Sequence, residues 1–214
     1  MNKKTKPKSE VHKYQAEMQK LLEILVHSLY TEREIFLREL VSNASDALSK
    51  VQLITLTEGK VLDKNAELNI KILFDEEKKQ IVIEDSGCGM SKNELLENLG
   101  TIANSGTLKF LEKAQSENKS AENLIGQFGV GFYSVFMVAD RVELISRSWQ
   151  VDSEAWQWSS DGGGQYEIIP VEYKHRGTRV TLFLKEDAKE FCNDFRIESI
   201  IKKYSNYLPF PVKI

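Results

Sequence analysis

The sequence predicts a mixed α/β domain. Two observations carry that prediction. In the first third, apolar residues recur at helical spacing over long stretches; in the last third, they alternate with polar residues in short runs bounded by glycines and polar turns. At 214 residues the chain fits one domain, or one and a half, with a substantial core.

Met1–Ser9 carries lysines with no apolar run after them, which excludes a secretory signal and predicts a mobile tail, bounded at residue 13. Val11–Leu29 predicts a first helix, with Leu21, Leu22, Leu25, Val26 and Leu29 at helical spacing. Thr31 stands three residues before Glu34, the spacing of a capping box. The helix that follows is predicted to run to about Leu56 and organises the chain. At about 100° per residue its apolar positions, from Phe36 to Val51, form one broad sector. Glu39, Asn43, Asp46 and Lys50 form a narrow row at its border.

That row has two readings. It is a solvated flank of an amphipathic helix, or it is a site for a divalent ion and a water. In the second reading Asn43 offers a neutral oxygen suited to magnesium. Glu39, close to apolar surface, would have a raised pKa and act as a general base.

Leu68–Phe74 and Gln80–Asp85 predict a hairpin over the polar turn 75–79. Period two places Asp85 on the same face as Ile81 and Ile83, toward the core. In the following Asp85-Ser-Gly87-Cys-Gly89-Met90, Asp85 either caps its own turn or accepts from an external donor such as an adenine amino group. Glycines 87 and 89 would let backbone approach a flat ring. Cys88 reads as a spectator. Ser91–Leu99 predicts a short helix capped by Ser91 and Glu94. Gly100–Ile125, glycine-bounded and largely polar, reads as a mobile cover.

Gly126-Gln-Phe-Gly129-Val-Gly131-Phe132 precedes a strongly apolar helix. It is a tight turn, or a phosphate cradle made of backbone N–H groups at a helix start. It matches neither the P-loop nor the dinucleotide pattern. From Asp140 strands dominate: Arg141–Arg147; a hairpin of Ala155–Ser159 and Tyr166–Ile169 over Asp161–Gly164; and Val180–Leu184, with Thr178 at its mouth carrying a free hydroxyl. Trp156 and Trp158 share a face and read as packing. Arg196–Tyr207 predicts a closing helix, and Phe210–Ile214 the start of another strand.

Composition narrows the function classes. Hydrophobic content of 41% with 29% charged residues excludes a disordered chain. A net charge of −3 gives no basic excess for nucleic acid. No apolar run approaches the ~20 residues of a membrane span. Two cysteines without a pairing or metal spacing fit a reducing cytoplasm.

Taken together, Glu39-x-x-x-Asn43-x-x-Asp46, Asp85-x-Gly87-x-Gly89, Gly126-x-x-Gly129-x-Gly131 and Gly177-Thr178 resemble the ATPase superfamily of DNA gyrase, heat-shock protein 90, histidine kinases and MutL. The flanks of the helix, of Leu99-Gly-Thr-Ile-Ala103 and of Ile125–Ser134 are similar to the heat-shock protein 90 family, in its bacterial branch, from about Tyr14 to Ile214.

The resemblance implies a two-layer α/β sandwich, with helices on one face of a largely antiparallel mixed sheet. It implies an N-terminal ATPase domain of a chaperone, residues 14–214, with a lid at about 100–125. The middle and C-terminal domains would be absent. ATP and Mg2+ would be the cofactors. Asp85 would take the adenine amino group, helped by Thr178 and Gly89, while Met90 and Asn98 flank base and sugar. Asn43 would bind magnesium, with Asp46 and Lys50 beside it, and Glu39 would deprotonate the attacking water. Gly126, Gln127, Phe128, Gly129, Val130, Gly131 and Phe132 would hold the phosphates. Asn104 departs from the family's usual lysine, which implies a weaker phosphate contact there. Implied partners are unfolded clients and, in the full-length protein, a second copy; the isolated domain would be monomeric and hydrolyse ATP very slowly. A histidine-directed kinase and a non-enzymatic nucleotide-gated module are the rival readings.

Overall fold

A computed structural model describes residues 9–14, 33–100, 131–204 and 208–214. Among these residues the elements in chain order are β1 (Glu10–Lys13), α1 (Ile35–Thr57), β2 (Ile70–Asp75), β3 (Gln80–Asp85) and α2 (Lys92–Gly100). A 3-10 helix (Gly131–Met137) leads to β4 (Ala139–Arg147), β5 (Ala155–Ser160), β6 (Gln165–Val171) and β7 (Gly177–Leu184). A second 3-10 helix (Glu186–Phe191), α3 (Asp194–Tyr204) and β8 (Val212–Lys213) close the chain.

The strands form one sheet in the order β1-β6-β5-β4-β7-β3-β2-β8. Only β2–β8 is parallel; the other pairs are antiparallel. Alternation decides which face is buried. Ile70, Ile72, Ile81, Ile83, Val142, Leu144, Trp158, Ile168, Val180 and Leu182 all point to one side and join a single core with the helices. The opposite face carries charge pairs such as Arg179–Glu84. The architecture is therefore the expected two-layer sandwich.

Helix α1 is the longest helix among the described residues. It packs on β2, β3, the first 3-10 helix and α3. Phe36, Leu37, Leu40, Val41, Ala44, Leu48 and Val51 are buried, as the helical spacing predicts. Burying each large aliphatic side chain contributes about 1.5–3 kcal/mol, which anchors the helix against the sheet. The β2–β3 turn keeps its register because Asp75 Oδ1 accepts from Lys78 N–H at 3.0 Å and Lys79 adopts φ +52°. The capping box of α2 forms: Ser91 N–H donates to Glu94 Oε2 at 2.8 Å, and Glu94 N–H to Ser91 Oγ at 3.4 Å. Trp158 is fully buried and Trp156 packs against the core, so both are packing residues.

Four expectations are corrected. Glu10–Lys13 is an edge strand paired with β6, so neither the predicted tail to residue 13 nor a helix from Val11 holds there. Those four residues lack a helical apolar stripe, while β6 offers an open ladder; residues 15–32 lie outside the described residues. Thr31 lies outside the described residues, and Glu34 is itself the N-cap residue of α1, without a side-chain cap bond, and not the third helical residue a capping box needs. Its carboxylate accepts from Lys203 Nζ at 2.7 Å and Tyr204 Oη at 2.9 Å, and pairs with Arg196 at 2.9 Å. The apolar helix after Gly131 is a seven-residue 3-10 helix, buried throughout. With every side chain buried it has no polar face to present, and the chain enters β4 directly. Finally, α3 is described only to Tyr204, starting two residues before the predicted Arg196.

The Glu34 network ties the start of α1 to α3. Burial alone would raise its pKa, but the hydrogen bonds from Lys203 and Tyr204 and the charge of Arg196 outweigh it and hold the carboxyl below the usual range. A depressed carboxyl stabilises the fold above its unfolded value and loses that effect as pH falls through its folded value. Glu34→Ala is therefore expected to cost about 1–3 kcal/mol at pH 7, the cations being half-exposed. In urea unfolding the difference from wild type should shrink markedly by pH 3; an equal difference at both pH values would contradict the network.

Candidate functional site

The sheet register builds the floor of a cavity. In antiparallel pairs, residues directly opposite share a face. Leu144 opposes Val180, and Val180 opposes Ile83, giving an apolar row across β4, β7 and β3. Two residues further on, Ser146 opposes Thr178, and Thr178 opposes Asp85, giving a polar row. Helix α1 forms the facing wall through Leu40, Asn43, Ala44, Asp46, Ala47 and Lys50. Cys88, Gly89 and Met90 close one end; Glu94, Asn98, Leu99 and Phe132 line the remainder. The cavity measures about 580 Å³. That lies within the range of small-ligand sites, and the mix of apolar walls with a few polar groups is typical of them.

Asp85 is the acid on this floor. Its Oδ1 accepts from Gly87 N–H at 2.8 Å, so one oxygen does cap its own turn. The backbone N–H of Thr178 and the charge of Arg176 favour the anion, yet burial dominates and pushes the carboxyl up to about 7. A carboxylate this costly, aimed into a cavity, is suited to meeting a donor from outside.

The loop after Asp85 needs its glycines. A Cβ on Gly87 would stand 2.6 Å from Ala47 Cβ. Gly89 has φ +59°, and its missing side chain makes room for the Arg147 carbonyl; Gly177, at φ +113°, does the same for the Asp85 carbonyl. Cys88 N–H donates to Ala47 O at 3.1 Å, so α1 and the loop are in direct contact. The Cys88 thiol is pushed up by burial, consistent with a spectator.

The Thr178 hydroxyl is not free. It lies 3.0 Å from Ser146 Oγ, which also accepts from Met90 N–H at 2.8 Å. Ser146 is fully buried and was missed by the sequence reading. The signal was present: period two from Val142 and Leu144 places Ser146 on the core face, as it does Asp85. Arg176, 2% exposed, was also missed.

The structure brings Asn43, Asp46, Lys50, Asp85, Gly89, Met90, Asn98, Phe132 and Thr178 around this one cavity. Glu39 is not among its lining residues. Its carboxylate packs against Gly131, beside Phe132, and accepts from Arg38 Nη2 at 2.9 Å and Nε at 3.1 Å. Gly131 is glycine because a side chain there would collide with Glu39. Asn104, Gly126, Gln127, Phe128, Gly129 and Val130, and the lid beyond Gly100, lie outside the described residues. Among the described residues, no three His, Cys, Asp or Glu side chains gather as metal ligands. An ion here would be held by few protein groups, as magnesium on phosphates is. No helix among the described residues is long and apolar enough to cross a membrane.

An acid on the floor, an amide on the facing helix and an apolar slot between them form a site suited to a flat ligand with a polar edge. The family model of histidine kinase-, DNA gyrase B-, and HSP90-like ATPases matches residues 30–188, and the chain belongs to that family. It is 54% identical over 213 residues to the chaperone protein HtpG of Chlorobium phaeovibrioides, covering 99% of this chain and 34% of that one. It is 52% identical to HtpG of Chlorobaculum tepidum over 94% of this chain and 33% of the relative. HtpG of Myxococcus xanthus is 48% identical, over 97% and 32%. The chain thus spans about a third of the length of these curated relatives.

Because the folded Asp85 carboxyl titrates at about 7 against an ordinary 3.8, the native state keeps a proton that the unfolded chain releases. Stability of the empty domain should therefore fall as pH rises from 4 to 7. Asp85→Asn removes this slope, so its melting temperature should gain on wild type between pH 5 and pH 8. A gap independent of pH would contradict the burial.

Proposed function

We propose that this chain, from β1 onward, is the N-terminal ATP-binding domain of a longer chaperone, which hydrolyses ATP to ADP and phosphate. The observation that carries the proposal is the placement of Asp85 and Asn43 on facing walls of one apolar-flanked cavity, in a chain of this ATPase family. The adenine amino group donates to the Asp85 carboxylate, with Thr178 and Gly89 assisting. Leu40, Ala44, Ile83, Leu144 and Val180 enclose the ring. Met90 and Asn98 lie toward the sugar side, and Asn43, Asp46 and Lys50 toward the phosphates.

Asn43 would hold magnesium, which would supply charge neutralisation at the phosphates. Gly126–Phe132 hold the phosphates through backbone N–H groups, with Asn104 contributing a neutral contact. Glu39, oriented by Arg38, accepts a proton from water as its oxygen bonds to the γ-phosphorus. The bond from phosphorus to the β–γ bridging oxygen breaks, and ADP leaves with that electron pair.

Residues 100–125 act as the lid. In the longer protein the clients are unfolded or partly folded chains, two copies clamp together, and the setting is the cytoplasm. The domain alone is monomeric and turns over very slowly, because transition-state charge lacks partners from further domains.

Asp85→Asn is expected to abolish ADP and ATP binding in calorimetry. Glu39→Ala is expected to keep binding while lowering phosphate release by the full-length protein about 100-fold or more. Full affinity in the Asp85 variant, or undiminished turnover in the Glu39 variant, would overturn the assignment. Phosphate transferred to protein instead of released would point to the kinase reading.

A further inference from the structure

Arg176 lies behind the cavity and touches none of its open space. It is buried, yet all its guanidinium hydrogen bonds go to backbone carbonyls. Nε donates to Leu62 O at 2.9 Å and Nη2 to Asp63 O at 3.3 Å. Nη1 donates to Gly87 O at 2.9 Å and to Ser86 O. No carboxylate among the described residues hydrogen-bonds the guanidinium, although Asp63 and Asp85 act on its charge. A buried cation satisfied only by carbonyls is costly to keep for packing alone.

Gly87 links this cation to the cavity. Its carbonyl is held by Arg176 and its N–H holds Asp85 Oδ1 at 2.8 Å. On the α1 side the same residue abuts Ala47. Behind the loop the packing is open: a second cavity of about 330 Å³ shares Asp85, Ser86 and Arg176 as its wall, with Asp63, Glu84 and His175 among the others. Close-packed side chains do not back the loop there, so the guanidinium supplies what holds it forward. A rigid fork can reach carbonyls on two segments at once, which a lysine ammonium on a flexible stem cannot match.

We propose that Arg176 is a positioning residue for base recognition: it fixes the Ser86–Gly87 backbone and, through Gly87, the aim of the Asp85 carboxylate. This rests on the nucleotide reading above. It acts on the base end of the ligand and not on the phosphates.

The test is calorimetric titration with adenosine and with ADP plus magnesium, below the melting temperature of each variant, with circular dichroism to verify the fold. Arg176→Met should weaken adenosine and ADP by the same factor, tenfold or more. Arg176→Lys should fall between it and wild type. Asn43→Ala, at the phosphate end, should weaken ADP much more than adenosine. A folded Arg176→Met that binds adenosine as wild type does overturns the proposal, whatever its melting temperature. Should Arg176→Met fail to fold, Arg176→Lys decides in the same way, wild-type affinity overturning the proposal and a loss shared by both ligands supporting it. Wild-type chain that binds neither ligand refutes the nucleotide site itself, and the proposal with it; wild-type binding with an unaffected Arg176 variant refutes the proposal alone.

Discussion

A carboxylate at the end of a buried strand face is the constraint around which this domain is arranged. Strand β3 delivers Ile81, Ile83 and Asp85 to the same side, so the acid enters the core by the alternation that buries the isoleucines. The surroundings meet the resulting cost in part: a turn N–H from Gly87, a strand N–H from Thr178 and the charge of Arg176. The rest is left open to the cavity. Glycines at 87 and 177 follow from this, because Asp85 atoms and neighbouring backbone leave no room for a side chain at either. The Ser146–Thr178 pair completes the polar row beside it.

Helix α1 serves two ends with one period. Its apolar sector fastens it to the sheet, while Asn43, Asp46 and Lys50, one step round the helix, face the cavity. Fixing the core therefore also fixes the height of Asn43, Asp46 and Lys50 above the floor. Glu39 sits a turn earlier, against Gly131, where the 3-10 helix meets α1. The acid and the amide thus occupy different places along one rigid rod. The proposed division of labour, with the amide holding an ion and the acid facing a water, uses that separation.

Much of this was legible in the sequence because it depends on period. The hairpin β2–β3, the inward turn of Asp85, the buried sector of α1 and the Ser91–Glu94 box were all read from spacing. What spacing could not reveal depended on distant partners. Glu10–Lys13 becomes a strand because β6 offers an edge to it. Glu34 is held by Lys203, Tyr204 and Arg196, more than 160 residues away. Thr178 loses its free hydroxyl to Ser146, a pairing that only the β4–β7 register creates. Arg176 gave no signal, because its partners are carbonyls of two loops and carry no side-chain signature.

The proposed nucleotide site depends on recognition of one exocyclic amino group by Asp85. The most direct measurement compares binding of ADP with inosine diphosphate, which presents a carbonyl oxygen where adenine presents its amino donor. Above pH 8, where Asp85 is ionised, two acceptors facing each other in a buried site cannot pair, so inosine diphosphate should bind at least about 100-fold more weakly. Equal affinities would mean that Asp85 does not meet the base, and the site would have to be assigned anew.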